Sequence, residues 1–421
     1  MAVSIGSATI VGRKPPGVPW RTPLRLTVAV VGVLAALAVA GCAVAPTTGG
    51  TATPPAGSPA QPKEKPVSTR TNMSNAQVKR EGGKVWIADV PALSWAKSGD
   101  ITFAGALASA LTPTLHPYDD TQVMGYSGLA FRSRWGPRDK GWCPSIPVGE
   151  FPEESGAVSK ATGWAFRHRE RMAAGKDAHM EQFAAEMTAS IDAGLPIVGY
   201  ANAGLNCGVA YGYEDGGKTF LWRDYFKGDQ EYKVPATDTG PWLMFLADYR
   251  QPPSEHDKLV TSLKIAAANW RRPAADPGGG KYYYLWGEQA TNAWMQDLAD
   301  AGSFTEEQQK SLFFANWWCF EAYVYARCRA AAFLSDNAKA LQGDSAKAVE
   351  QAAAIYQKQS KLLLDGFWSK EVFIGPWTGK KQADWTPEMR AREQKLLADA
   401  LELDRAAITE IEKALAAEGV K

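Results

Sequence analysis

Apolar and polar positions change their period near residue 253 of this chain. Upstream, short apolar runs alternate with turns and brief helical stretches. Residues 84–90 and 242–247 read as strands, and so do three closely spaced runs at 196–201, 207–213 and 219–225. The last two flank Glu214-Asp215-Gly216-Gly217, whose glycines tolerate positive φ and so predict a hairpin. Residues 101–111 predict a helix of small residues. Met180, Phe183, Met187 and Ile191 make an apolar stripe on a helix over 177–193, which Gly194 and Pro196 end. The hydroxyl in Tyr126-Ser127-Gly128 lacks a nucleophile-elbow glycine pattern, and the segment predicts a helix terminator. Downstream, apolar residues recur at helical spacing over 254–270, 281–301 and 345–364. Ser303 and Glu306 predict a capping box opening a long helix to about residue 335, lined on one side by Leu312, Ala315, Cys319, Tyr323, Ala326 and Ala330. A Gly/Trp-rich loop follows at 366–385. Thr386-Pro387 predicts a cap with proline in the first turn, and Leu397, Leu401, Ile408, Ile411 and Leu415 mark the last helix.

These patterns predict an α+β chain: an N-terminal domain built on an antiparallel sheet, then an all-α domain. Its 421 residues, 45% hydrophobic and 22% charged, are enough for two domains. Two segments precede them. Leu26 to Ala40 is a short apolar run behind Arg13, Lys14, Arg21 and Arg25, too short for the about 20 residues of a membrane-spanning helix. It ends in Val39-Ala40-Gly41-Cys42, which resembles the signal of a bacterial lipoprotein, cut before a cysteine that is then lipidated. Residues 43–80 are rich in Ala, Pro, Thr, Gly and Ser and bury too little apolar surface to offset chain entropy. The expected organisation is a signal peptide at 1–41, a disordered tether at 42–82, an α+β domain at 83–252 and a helical domain at 253–421. The expected location is outside the cytoplasm, held to the membrane through Cys42.

A net charge of +1 gives no pull toward nucleic acid. Beyond Cys42 there are Cys143, Cys207, Cys319 and Cys328. Cys319 and Cys328 lie nine residues apart on one predicted helix, on opposite faces and about 13 Å apart along its axis, out of disulfide reach. Cys143 with Cys207 is the pairing expected if one forms. No CxxC occurs, and none of the four histidines has ligand spacing, so neither metal nor cofactor is expected. Cys143, in Gly141-Trp142-Cys143-Pro144-Ser145, is an alternative nucleophile, with His116 or His168 as base. The second domain is dense in aromatic residues, including Tyr282, Tyr283, Tyr284, Trp317 and Trp318. They cover more than one helix face and so cannot all enter one core seam.

Two stretches carry a resemblance. One is Val90-Pro91-Ala92-Leu93-Ser94-Trp95 with Thr102-Phe103-Ala104-Gly105-Ala106-Leu107. The other is Asn206-Cys207-Gly208-Val209-Ala210-Tyr211-Gly212-Tyr213-Glu214-Asp215-Gly216-Gly217 with Asp224. Together, over about residues 84–250, they resemble the papain-like fold of C39-type cysteine peptidases and the related butirosin biosynthesis protein H N-terminal family. In such a fold a helix N-terminus stabilises a cysteine thiolate. A histidine opening a later strand acts as its base, and an acid on the next strand orients that histidine. The resemblance places the nucleophile position at Thr102, the base position at Asn206 and the acid at Asp224. Trp95 stands where peptidases carry an oxyanion-stabilising glutamine. It thus implies a kept scaffold without its Cys-His pair, and no thiol catalysis at Thr102.

The expected function is therefore binding, by a membrane-anchored lipoprotein, of a small molecule or peptide in a cleft between the domains, with Trp95, Thr102, Trp142, Asn206 and Asp224 contacting it. The alternatives are an active thiol hydrolase or acyltransferase using Cys143, and a structural cell-envelope protein.

Overall fold

A computed structural model describes residues 73–95, 99–143, 146, 151–170, 177–201, 206–240, 242–274, 284–375, 378 and 380–420. Cys42 and the signal-like run lie outside them. In chain order the strands are β1 (Val78–Glu81), β2 (Lys84–Ile87), β3 (Arg134–Trp135), β4 (Trp164–Glu170), β5 (Ile197–Tyr200), β6 (Cys207–Glu214), β7 (Thr219–Arg223), β8 (Tyr232–Pro235), β9 (Trp242–Tyr249) and β10 (Leu285–Trp286). The helices are α1 (Thr102–Leu111), α2 (Asp120–Tyr126), α3 (Phe151–Thr162), α4 (Asp177–Asp192), α5 (Glu255–Arg271), α6 (Gly287–Asp300), α7 (Glu306–Asn337), α8 (Gly343–Trp368) and α9 (Pro387–Ala417). The chain is α+β: an antiparallel sheet over residues 78–249 precedes a helical region.

Eight strands form that sheet around β6. One edge of β6 pairs with β5 over Cys207–Ala210 and with β2 at Gly212 and Tyr213; the other pairs with β7. β9 and β4 extend the sheet beyond β5, β1 beyond β2 and β8 beyond β7. A bulge between Ala210 and Gly212 shifts the register of the β6–β7 ladder by one residue. Glu214 to Gly217 form the predicted turn, with Gly216 at φ 65° and Gly217 at φ 93°.

α1 is buried at every position. Its run of Ala and Gly lets its backbone lie close on β5 and β6, which fixes Thr102 beside the start of β6. On α4, Phe183, Met187 and Ile191 are buried as expected, while the side chain of Met180 lies outside the described residues. Gly128, in the left-handed region, ends the helical turn at Tyr126-Ser127 as expected.

Several features depart from the sequence expectation; the helix expected over 281–301 begins at Gly287, after a strand at Leu285–Trp286, and 281–283 lie outside the described residues. β1 lies inside the segment expected to be a tether. Its residues Val78-Lys79-Arg80-Glu81 have no apolar face, but a two-residue turn at positive-φ Gly82 and Gly83 folds them back on β2. Ser74 is buried there too, donating to the carbonyl of Gly194 at 2.8 Å. β4 is absent from the periodic pattern because Arg167, His168 and Arg169 interrupt it; Glu186 on α4 holds both arginines. The capping box of α7 is Thr305 with Gln308, not Ser303 with Glu306, since Ser303 Oγ donates to the Asp300 carbonyl one turn earlier. Cys143 and Cys207 are not joined to each other: both are buried, one packed under α7 and the other beneath α1.

One continuous apolar core runs from the sheet through α7, α8 and α9. Its polar centre is Arg327, which is fully buried and paired with Asp404 of α9. The guanidinium also donates to the carbonyls of Ala130 and Arg132 and to Ser133 Oγ, all in the sheet-bearing half.

Candidate functional site

The structure brings together four of the five residues expected to bind a ligand. Thr102 opens α1, and its Oγ1 accepts the backbone N–H of Cys207 at 3.1 Å. Asn206 precedes β6, and its buried Oδ1 has no hydrogen-bond partner among the described residues. Asp224 follows β7, one residue beyond the Val209–Arg223 pair, and its Oδ1 accepts the N–H of Phe226 at 2.8 Å. Burial raises the Asp224 carboxyl, with the Phe226 amide and Lys227 acting against that. Trp95 packs on Tyr225 and Phe226, ring centroids 4.8 and 5.5 Å away. Phe226 is 67% exposed, so this end of the site is open to solvent.

Cys207 sits below them. Burial pushes its thiol far up, Glu154 adds to that, and hydrogen bonds with Thr102 and Tyr200 only partly offset it. It stays a neutral thiol in the core.

Trp142 is not part of this group. It has φ 37°, and its indole N–H donates to Asp297 Oδ2 at 2.7 Å, beside the same bond from Trp135 at 2.8 Å. Its ring packs on Phe304. Trp142 thus ties the loop after β3 to α6, which explains its burial without a ligand. Cys143 is 5% exposed, and the Tyr284 hydroxyl donates to its sulfur at 3.5 Å. The two histidines expected as its base are engaged elsewhere: His116 stacks on Tyr249 at 3.6 Å, and His168 Nε2 bonds Ser155 Oγ at 2.8 Å. A thiol so enclosed offers a substrate no approach.

A second row of residues continues the site onto α7. Trp317, Glu321, Tyr325 and Arg329 recur every four residues and so share one face, and all are half-buried. Opposite lie Asp100, next to the N-terminus of α1, and Asp120 of α2. Asp120 pairs with Arg329 at 2.7 Å and accepts the Tyr325 hydroxyl; its Oδ1 is buried without a partner among the described residues. Glu321 lies one turn from Trp317 on this face. Gly99, at φ 79°, lies so close to Tyr325 that a Cβ there would fall 1.9 Å from the ring. Tyr225 is buried beside Asp100, Asp120 and Cys207, and so links the two rows. Desolvation, with the like charge of Asp120, pushes Asp100 up to about 7. Desolvation, with the charge of Asp100, pushes Glu321 up to about 9.

The acids of this row were not anticipated from the sequence. The signal for them is the four-residue spacing of Trp317, Glu321, Tyr325 and Arg329, which lies on the face of α7 away from its apolar stripe.

The fold and site define an α+β protein with a half-open polar and aromatic surface at the ends of β6 and β7, near a long helix. No protein-family model matches this chain, and no curated protein matches it significantly. Among the described residues, no helix is long and apolar enough to cross a membrane, and no three acidic, histidine or cysteine side chains could hold a metal ion.

Proposed function

We propose that this chain is a non-catalytic binding protein of the cell surface, on a papain-like, C39-type scaffold that lacks the reactive pair. It takes a small molecule or peptide in a cleft near Trp95, Thr102, Asn206 and Asp224, and Cys42 carries the lipid that anchors it. One observation carries the binding reading: the groups standing at reactive positions are spent on backbone amides. Thr102 Oγ1 receives the Cys207 N–H, and Asp224 receives the Phe226 N–H. A hydroxyl is a weak nucleophile unless a base takes its proton, and Asn206 is no base. Half-exposed aromatic rings beside unpaired acceptors suit a ligand of mixed polarity instead.

Two experiments test this. The full-length chain in detergent is treated with a cysteine-directed electrophile while hydrolysis of peptide and ester substrates is followed. Of Cys143, Cys207, Cys319 and Cys328, the half-buried Cys328 is expected to react first, with no turnover before or after. Thr102→Ala is expected to cost about 1–2 kcal/mol, the loss of one buried acceptor. Turnover that disappears when Cys143 is labelled overturns the binding reading in favour of a thiol hydrolase. For the anchor, Cys42→Ser is expected to move the protein from the detergent phase to the aqueous phase. Unchanged partitioning argues against lipid on Cys42.

A further inference from the structure

A chain of polar side chains joins the end of α9 to the starts of α5 and α8. Glu418 follows the last turn of α9, and its backbone N–H still bonds to the Ala414 carbonyl. His256 lies in the first turn of α5, and its Nε2 is 2.8 Å from Glu418 Oε2. Its Nδ1 is 3.2 Å from Oδ1 of Asp257. Each carboxylate is also held from its far side. Ser345 Oγ, in the first turn of α8, donates to Glu418 Oε1 at 2.6 Å, and Ser254 Oγ donates to Asp257 Oδ2 at 2.7 Å.

The ring therefore faces an acceptor at both nitrogens. A neutral imidazole has one N–H, and the lone pair on its other nitrogen repels a carboxylate oxygen; only the imidazolium donates twice. The carboxyls do not supply the proton. Glu418 is held below its ordinary range by Ser345 and then His256, and Asp257 by Ser254 and then His256. The helix dipoles oppose each other here: the N-terminus of α5 disfavours a cation and the C-terminal end of α9 favours one, so the carboxylates decide.

We propose that His256 is a proton-operated latch that docks the C-terminal end of α9 on the starts of α5 and α8. With the proton in place, one ring ties Glu418 to Asp257. Without it, one of the two contacts sets a lone pair against a carboxylate. The loss falls on Glu418, whose side chain is only 19% exposed. Arg271 with Glu412 is another pair between α5 and α9, and its guanidinium keeps its charge, so that contact does not switch.

The sign follows from the charges that act on His256. These are Glu418 of α9 and Asp257 of α5, while α8 presents the uncharged Ser345 hydroxyl to Glu418. Both acids raise the ring above its ordinary 6.5, Glu418 the more strongly. The latch is closed below 6.5 and is lost as pH rises through the raised value.

The test uses the full-length chain in detergent with its histidine rings labelled with nitrogen-15, followed by NMR from pH 5 to pH 9. The signal missing from His256→Asn identifies His256. Both of its nitrogens are expected to carry protons at pH 7, with a midpoint above 6.5 that falls toward 6.5 in Glu418→Gln. Hydrogen exchange of residues 414–420, corrected for its intrinsic dependence on pH, supplies the second readout. Protection is expected to be about threefold greater at pH 6 than at pH 9, the size expected of one half-exposed ion pair, and equal at both in His256→Asn. A singly protonated His256 ring at pH 7 overturns the proposal. So does protection that is independent of pH in the unaltered chain, or that keeps its pH dependence in His256→Asn.

Discussion

Asp404→Ala is expected to destabilise the protein by about 3–5 kcal/mol, because it strands a fully buried guanidinium. Asp404 receives Arg327 Nε at 2.7 Å and Nη2 at 2.9 Å, and the Tyr323 hydroxyl at 2.6 Å. The pair is at most 1% exposed, so water cannot replace the lost carboxylate. Tyr323 also receives Gln359 of α8, which extends the disturbance across three helices. Arg327 reaches residues 130–133 as well, so the sheet-bearing half is expected to melt together with the helices. Urea unfolding followed in parallel by circular dichroism and tryptophan fluorescence checks both points. A loss below about 1 kcal/mol, or two separated transitions, contradicts this account. The double replacement Arg327→Met with Asp404→Leu is expected to cost less than Asp404→Ala alone, since it leaves no charge behind.

Gly99→Ala is the second large effect, expected at about 2–4 kcal/mol. Part of that is the cost of a side chain at φ 79°, about 1 kcal/mol. The rest is overpacking: the new Cβ meets the Tyr325 ring at 1.9 Å, and Tyr325 cannot swing aside without leaving Asp120 and Arg329. Gly141→Ala separates the two parts. Its φ is 78°, yet nothing lies within 4 Å of the added carbon, so only the backbone cost of about 1 kcal/mol remains. Equal destabilisation by both substitutions means that Gly99 does not bear on Tyr325 of α7 as described.

Both effects depend on long-range contacts, which marks the limit of what the sequence discloses. The long helices were legible because their apolar spacing is regular, and the β6–β7 turn because glycine alone tolerates its backbone. Thr102, Asn206 and Asp224 are neighbours because β6 pairs with β7 and α1 packs on β6, pairings that the strand and turn signals suggest. Trp142 was expected in the same group, and its bond to Asp297 accounts for its place elsewhere. The acids Asp100, Asp120 and Glu321 come from three separate segments, and only the packing of α1 and α2 against α7 makes them neighbours. Short pairings such as β3 with β10, two residues each, carry no periodic signal at all.

The sheet has three open borders, at β1, β4 and β8. Each is lined with charge or ends in a residue that cannot pair: Lys79, Arg80 and Glu81 on the first, Arg167 and Arg169 on the second, Lys233 and Pro235 on the third. Exposed strand borders invite a neighbouring molecule to add its own strand, and charge and proline frustrate that addition. Crowding at a two-dimensional surface multiplies such encounters. Copies brought close together, as the proposed anchoring would bring them, therefore stay individually dispersed at densities where unprotected sheets join into aggregates.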